Sequence, residues 1–440
     1  MSSPFPNHFR ALGSALRRAG QLEPAREALQ AALEQDSQPV YAYVELGLTH
    51  AALKDARGAV VAFKRAVAAE AKCALAQYFL AKALATLSDQ NAVQVLARAL
   101  TLRPEAAAWH YLLGEWQLAR GEAGALGHFQ QAVGLQPDNG LYNAALARGL
   151  LRDGDVNGAA KCFRRATETL TEDGTLWSER GQAHLALGDY ATAAEAFERS
   201  LALQPGNVAA LLGAAKVSLA LGNLNLATSQ AETAARLAPH EPLALLCAGE
   251  VAAARGDVAE AEKAYISATT SSEGPAAWLA LGKLRLSQGK GALAIEALRR
   301  AAQGKATSDE ILSTLGDACV SAGDYAQAVQ AYREAARLAP RHAPHFLKLG
   351  RVLRSHGQLD QSIAQLMQAR DLTPNSDEVL REIGLVFEQR KQFDRALEMY
   401  QLAIKSAPRN ATNYARAGVA LRNLKDYTGS VQALERAVAL

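Results

Sequence analysis

The chain has 440 residues, of which 47 are basic and 44 acidic, and its net charge of +3 is spread without any block of one sign. Nothing in that balance calls for a nucleic-acid or anionic-membrane surface. Alanine and leucine dominate, aromatics make up only 6% and β-branched residues are sparse, so helix is the default expectation, in a few globular domains or in one architecture that grows along a line.

The opening stretch, MSSPFPNHFRALGSALRRAG, lacks the uninterrupted apolar core of a secretory signal, and no later stretch has the roughly 18 apolar residues of a membrane span. Cys73, Cys162, Cys247 and Cys319 are too far apart for a tight disulfide framework and suit a reducing compartment. A cytoplasmic location is the expectation.

From there the chain repeats itself. Small residues form a ladder from Ala32 through Ala66, Ala99 and Ala132 to Ala437, with every step 33 or 34 residues. A second ladder, from Ala25 and Ala59 to Ser430, stands seven residues before the first. Glycines such as Gly13, Gly47, Gly114, Gly181, Gly249, Gly316 and Gly384 form a third, and turn signals such as LGDY (187–190) and ARGD (254–257) separate it from the alanines. Each repeat therefore reads as helix, tight turn, helix, with the small residues where the helices touch. Thirteen repeats begin near residues 6, 40, 74, 107, 140, 174, 208, 242, 275, 309, 343, 377 and 411. Repeats three and four lose one residue at the internal turn, and the last is expected to stop partway through its second helix.

The pattern resembles the tetratricopeptide repeat family, whose unit runs W-x2-L-G-x2-Y, then A-x3-F, A and P. It is carried here by Trp177, Gly181 and His184 with Ala193 and Phe197, by Trp278, Leu281 and Gly282, by Ala328 with Tyr332, and by Gly384 and Phe387 with Ala396 and Tyr400. The resemblance covers essentially the whole chain and implies an all-α solenoid, a right-handed superhelix whose first helices line the concave side. The links TTSSEGP (269–275) and QGKATSD (303–309) lack the closing proline in its usual place, which makes residues 269–309 the expected flex point, against the reading that both are ordinary loops.

In that frame, the position after each ladder glycine gives Lys82, Glu115, Arg148, Gln182, Lys216, Glu250, Lys283, Asp317 and Arg351, all polar. Two readings stay open: a groove that binds an extended peptide or a partner helix, and a ladder of charges satisfied by its own neighbours. Four residues earlier the row reads Tyr78, Tyr111, Ala144, Ser178, Leu212, Leu246, Leu279, Ser313 and Leu347, in which Leu212, Leu246 and Leu279 form an aliphatic strip that either meets a partner or is buried by tight winding. The lysine and asparagine combination of the chaperone-tail clamp is missing at positions such as Leu212 and Lys216. The asparagine ladder of the O-GlcNAc transferase superhelix is missing at Gly213, Cys247, Ala280 and Thr314.

No constellation of residues points to catalysis, a cofactor or a metal. Gly304-Lys305 lacks the rest of a phosphate loop, and His342, His345 and His356 have no carboxylate or cysteine at ligand spacing. The leading expectation is a non-catalytic scaffold that binds a protein or peptide in the groove, with no nucleic acid and no membrane insertion. The alternative is a substrate-selecting or regulatory array of a larger enzyme, such as a glycosyltransferase, protease or kinase, with its effector domain beyond residue 440. At the far end, Leu434, Ala437 and Val438 face outward without a polar cap, which suggests end-to-end self-association. At the near end, Arg10, Arg17 and Arg18 are expected to cap the first repeat.

Overall fold

The computed structural model describes residues 6–35, 39–271, 274–303 and 307–440. Among the described residues there are 26 helices and no strand, giving an all-α solenoid. The chain divides into two compact segments, Met1–Val217 and Ser218–Leu440. The first holds the pairs α1 (Pro6–Arg18) and α2 (Leu22–Gln35), α3 (Val40–Ala52) and α4 (Ala56–Ala69), and α5 (Ala74–Thr86) and α6 (Ala92–Leu102). It continues through α7 (Ala107–Arg120) and α8 (Ala125–Leu135), α9 (Gly140–Arg152) and α10 (Val156–Thr169), and α11 (Gly174–Ala186) and α12 (Tyr190–Leu203). The segment boundary falls within α13 (Val208–Ala220).

The second segment holds α14 (Leu224–Leu237), then α15 (Pro242–Ala254) and α16 (Val258–Ser271), α17 (Pro275–Ser287) and α18 (Gly291–Ala302), and α19 (Asp309–Ser321) and α20 (Tyr325–Leu338). It ends with α21 (Ala343–Ser355) and α22 (Leu359–Leu372), α23 (Asp377–Gln389) and α24 (Phe393–Ser406), and α25 (Ala411–Asn423) and α26 (Tyr427–Ala439).

The small-residue ladders fix how each pair closes. Ala25, Ala59, Ala159, Ala193, Ala261 and Ala328 are fully buried, so second helices approach their neighbours at backbone distance. The glycines do the same for an aromatic ring. A Cβ on Gly47 would stand 2.5 Å from Phe63 Cε1, and one on Gly249 would stand 2.4 Å from Tyr265 Cε1. The glycine therefore leaves the hole that the ring of the second helix fills.

The turn between the helices is equally uniform. One turn position has a positive φ in all thirteen repeats, filled nine times by glycine, as at Gly188 and Gly256, and otherwise by Lys54, Ser88, Lys391 and Lys425. A side chain in this left-handed region costs on the order of 1 kcal/mol, which explains the glycines. The next residue is often an aspartate that caps the second helix: Asp55, Asp155, Asp189, Asp324 and Asp426 each accept from a backbone N–H three residues on. Repeats three and four, each one residue short, have the shortest second helices, α6 and α8, of 11 residues against 14 in α4.

One local expectation changes. Arg10 and Arg17 do not cap the outer face of α1, because they reach toward the second repeat. Arg17 Nε donates to Glu45 Oε2 at 2.9 Å, and the Arg10 guanidinium lies 5.8 Å from the Tyr41 ring centre. The last helix, α26, runs 13 residues, against 14 in α4. The expected flex point includes residues 272–273 and 304–306, which lie outside the described residues, as does the Gly304-Lys305 pair.

Candidate functional site

The polar row on the first helices is partly self-satisfied. Arg148 Nη2 donates to Glu179 Oε2 at 2.9 Å, Lys283 pairs with Glu310, and Lys348 Nζ donates to Asp317 Oδ2 at 2.7 Å. Arg351 bridges Glu382 at 2.8 Å and Glu378 at 2.7 Å. In every case the partner belongs to the next first helix, because helical pitch puts the residue after the glycine opposite the first or second turn of its neighbour. Tyr332 Oη donates to Asp317 Oδ1 at 2.6 Å, and burial followed by that carboxylate holds its phenol far above the ordinary tyrosine value. Lys82, Gln182 and Lys216 are exposed, and Glu115 and Glu250 are half-buried.

The row four residues earlier is mostly covered. Leu246 and Leu347 are buried, while Leu212 and Leu279 are half-buried, so the aliphatic residues do not form an open strip. Tyr78 stacks on Trp109 with ring centres 4.7 Å apart and an interplanar angle of 9°. Tyr111 lies against Tyr142 and Phe129, and burial, then Glu115, raises its phenol pKa. In the first segment these tyrosines belong to an aromatic seam instead of an open wall.

Among the described residues, a cavity opens along this row in each segment. The second-segment cavity, of about 470 Å³, brings together four of the expected groove residues: Leu246 and Glu250 of α15, and Leu279 and Lys283 of α17. Tyr265 of α16 closes the floor. Its phenol is pushed up to about 12 by burial, and then by the charge of Glu250. The first-segment cavity, of about 370 Å³, lies between α3 and α5 over Phe63 of α4. Its remaining wall is Leu48, Ala51, Ala56, Ala59, Phe79, Ala83 and Thr86, with Lys54 and Lys82 as its charged residues. Counted from the start of each repeat, Leu48 corresponds to Glu250, Phe63 to Tyr265, Phe79 to Ala280 and Lys82 to Lys283. The two cavities occupy the same place in the repeat.

Of the first-segment cavity, sequence reasoning found only Lys82. Two signals point to the rest: Leu48 is apolar where repeats three to eleven carry a polar residue, and Lys54 occupies a turn position that nine repeats give to glycine. His345, read as lacking a carboxylate, is buried with Nε2 2.8 Å from Asp309 Oδ2, a partner 36 residues upstream. That bond leads the causes that lower the Asp309 pKa. Among the described residues, no group of three or more histidine, cysteine or acidic side chains could hold a metal, and no helix is long and apolar enough to cross a membrane. On α26, Tyr427, Val431 and Val438 are exposed, Val438 by 89%.

No curated protein matches the sequence. Among solved structures, the chain is similar to one in the APC/C hetero-tetramer Cut9-Hcn1, with 15% identity, 96% of this chain and 97% of that one covered, and a TM-score of 0.47. It is similar to yeast Tom70 at 14% identity, with 99% and 96% covered and a TM-score of 0.44. It is also similar to YrrB, described as a TPR protein with an unusual peptide-binding site, at 16% identity, with 44% and 97% covered and a TM-score of 0.38. The tetratricopeptide repeat profile matches residues 10–69, 144–208, 178–242, 212–274, 246–310, 313–377, 347–413 and 381–440. With more than half of its length so matched, the chain belongs to the tetratricopeptide repeat family.

Proposed function

We propose that the protein is a non-catalytic scaffold that binds an extended peptide segment of a partner along its first helices. The observation that carries this reading is the recurrence of a cavity at one place in the repeat, between consecutive first helices. Each cavity has an apolar floor and a charged rim, as a site for one anchoring side chain requires. Elsewhere along the row Arg148, Asp317 and Arg351 pair with the next first helix and hold register.

Selection of a random peptide library on the full chain, followed by photo-crosslinking of the selected peptides, tests the reading. Crosslinks are expected on first-helix residues such as Lys82, Leu279 and Lys283. Crosslinks confined to second helices, or a library that yields no binder, would sink it.

A further inference from the structure

We infer that the cavity between α3 and α5 selects an acidic peptide with a bulky apolar side chain, which enters over Phe63 and Phe79 while flanking carboxylates meet Lys54 and Lys82; this rests on the peptide-binding reading above. The inside of the cavity is mostly apolar. Phe63 and Phe79 lie with ring centres 5.7 Å apart at an interplanar angle of 18°, Leu48, Ala51, Ala56, Ala59 and Ala83 line the wall, and Thr86 is its one uncharged polar residue. A space of about 370 Å³ admits a leucine or phenylalanine side chain with its adjoining backbone.

The charges at the rim are of one sign. Lys54 and Lys82 are both exposed, and among the described residues neither is in an ion pair; Lys82 lies 5.8 Å from the centre of the Tyr78 ring. The carboxylate next in sequence to Lys54, Asp55, is already engaged. It accepts from the Gly58 N–H at 2.8 Å and lies 2.9 Å from His50 Nδ1. The corresponding second-segment cavity differs in this respect, since Glu250 shares its rim and Lys283 is paired with Glu310. An acidic ligand thus gains two uncommitted cations at the first cavity, and faces a carboxylate at the second.

Lys54 has a φ of +61° at a turn position that nine repeats give to glycine and that Lys391 and Lys425 also fill. Lys54 stands in the turn that follows α3 and Lys82 on α5, so the two can flank an anchored side chain from both sides.

The test measures binding of fluorescent synthetic peptides to the full chain. One has a central phenylalanine flanked by glutamates, a second flanks it with lysines, a third with serines, and a fourth keeps the glutamates around a central alanine. The acidic phenylalanine peptide is expected to bind most tightly, to weaken with added salt, and to lose about tenfold or more in affinity on loss of its ring. Lys54→Glu with Lys82→Glu is expected to cost about tenfold or more, while Lys161→Glu, at an exposed position of the second helix α10, leaves binding unchanged. Both lysines are exposed, and a Lys54→Gly, Lys82→Gln variant, which eases the backbone, repeats the measurement without charge reversal. If the acidic peptide binds both lysine variants as well as the native chain, or if the serine peptide binds better, the inference falls and the groove reading stands. If no peptide of any charge binds, both fall. If free laurate displaces the peptide at equal concentration, the site is one for amphiphilic carboxylates, and the peptide inference is overturned.

Discussion

The cavity over Phe63 and the cavity over Tyr265 share a backbone and differ in chemistry. In both, a ladder glycine admits the ring that forms the floor. The first then has Leu48 on its wall and two lysines at its rim, whereas the second has Glu250 and a lysine already bound to Glu310. The repeat therefore makes the hole, and a few variable positions decide what fits it. Removing the floor should have the largest effect. Phe63 is almost fully buried, and Phe63→Ala is expected to cost about 3–5 kcal/mol, read by urea denaturation. Since repeats depend mainly on their nearest neighbours, hydrogen exchange should rise in α3–α5 and stay unchanged in α15–α17. An equal rise in both would show that the floor is not a local element.

The shared geometry predicts a shared penalty at the glycines. Gly249→Ala and Gly47→Ala each drive a Cβ to within 2.5 Å of a ring carbon, and each is expected to destabilise by about 1–3 kcal/mol. A large difference between the two in thermal denaturation would mean that the cavities are not equivalent in packing, whatever their alignment. The comparison reverses at the turn. Lys54→Gly should stabilise by about 0.5–1 kcal/mol by relieving a left-handed lysine. Gly256→Lys, at the matching position of the second cavity, should destabilise by a similar amount. A Lys54→Gly chain no more stable than the native one would show that the turn carries no strain.

The architecture was legible in the sequence because it rests on small residues at a fixed interval, and burial of Ala25, Ala59, Ala193 and Ala261 follows from that interval. The candidate site was legible only in part. The residue after each glycine does lie on the row of first helices, but periodicity does not say which charge the next helix neutralises: Arg148 and Arg351 are paired, while Lys82 is not. Nor does it separate a leucine on an open wall from one packed under its neighbours, and Leu246 proves buried. Leu48, Phe79 and Lys54 escaped notice because each belongs to a different part of the repeat, and only the packing of α3 on α5 brings them together.

The smallest change at neutral pH isolates the hydroxyl that distinguishes the two floors. Tyr265→Phe gives the second cavity the ring of the first, and is expected to alter stability by under about 1 kcal/mol at pH 7. Its signature lies in alkali. Burial, then the charge of Glu250, pushes the folded-state phenol up to about 12, against an ordinary value near 10. The unfolded chain therefore gives up that proton first. The stabilisation tied to neutral Tyr265 is complete below pH about 10 and is lost progressively as the pH rises toward about 12. Melting temperatures followed across that window should fall less steeply for Tyr265→Phe than for the native chain. Parallel slopes for native and Tyr265→Phe chains would mean that neither burial nor Glu250 holds this phenol neutral, and that the two cavities differ at their rims alone.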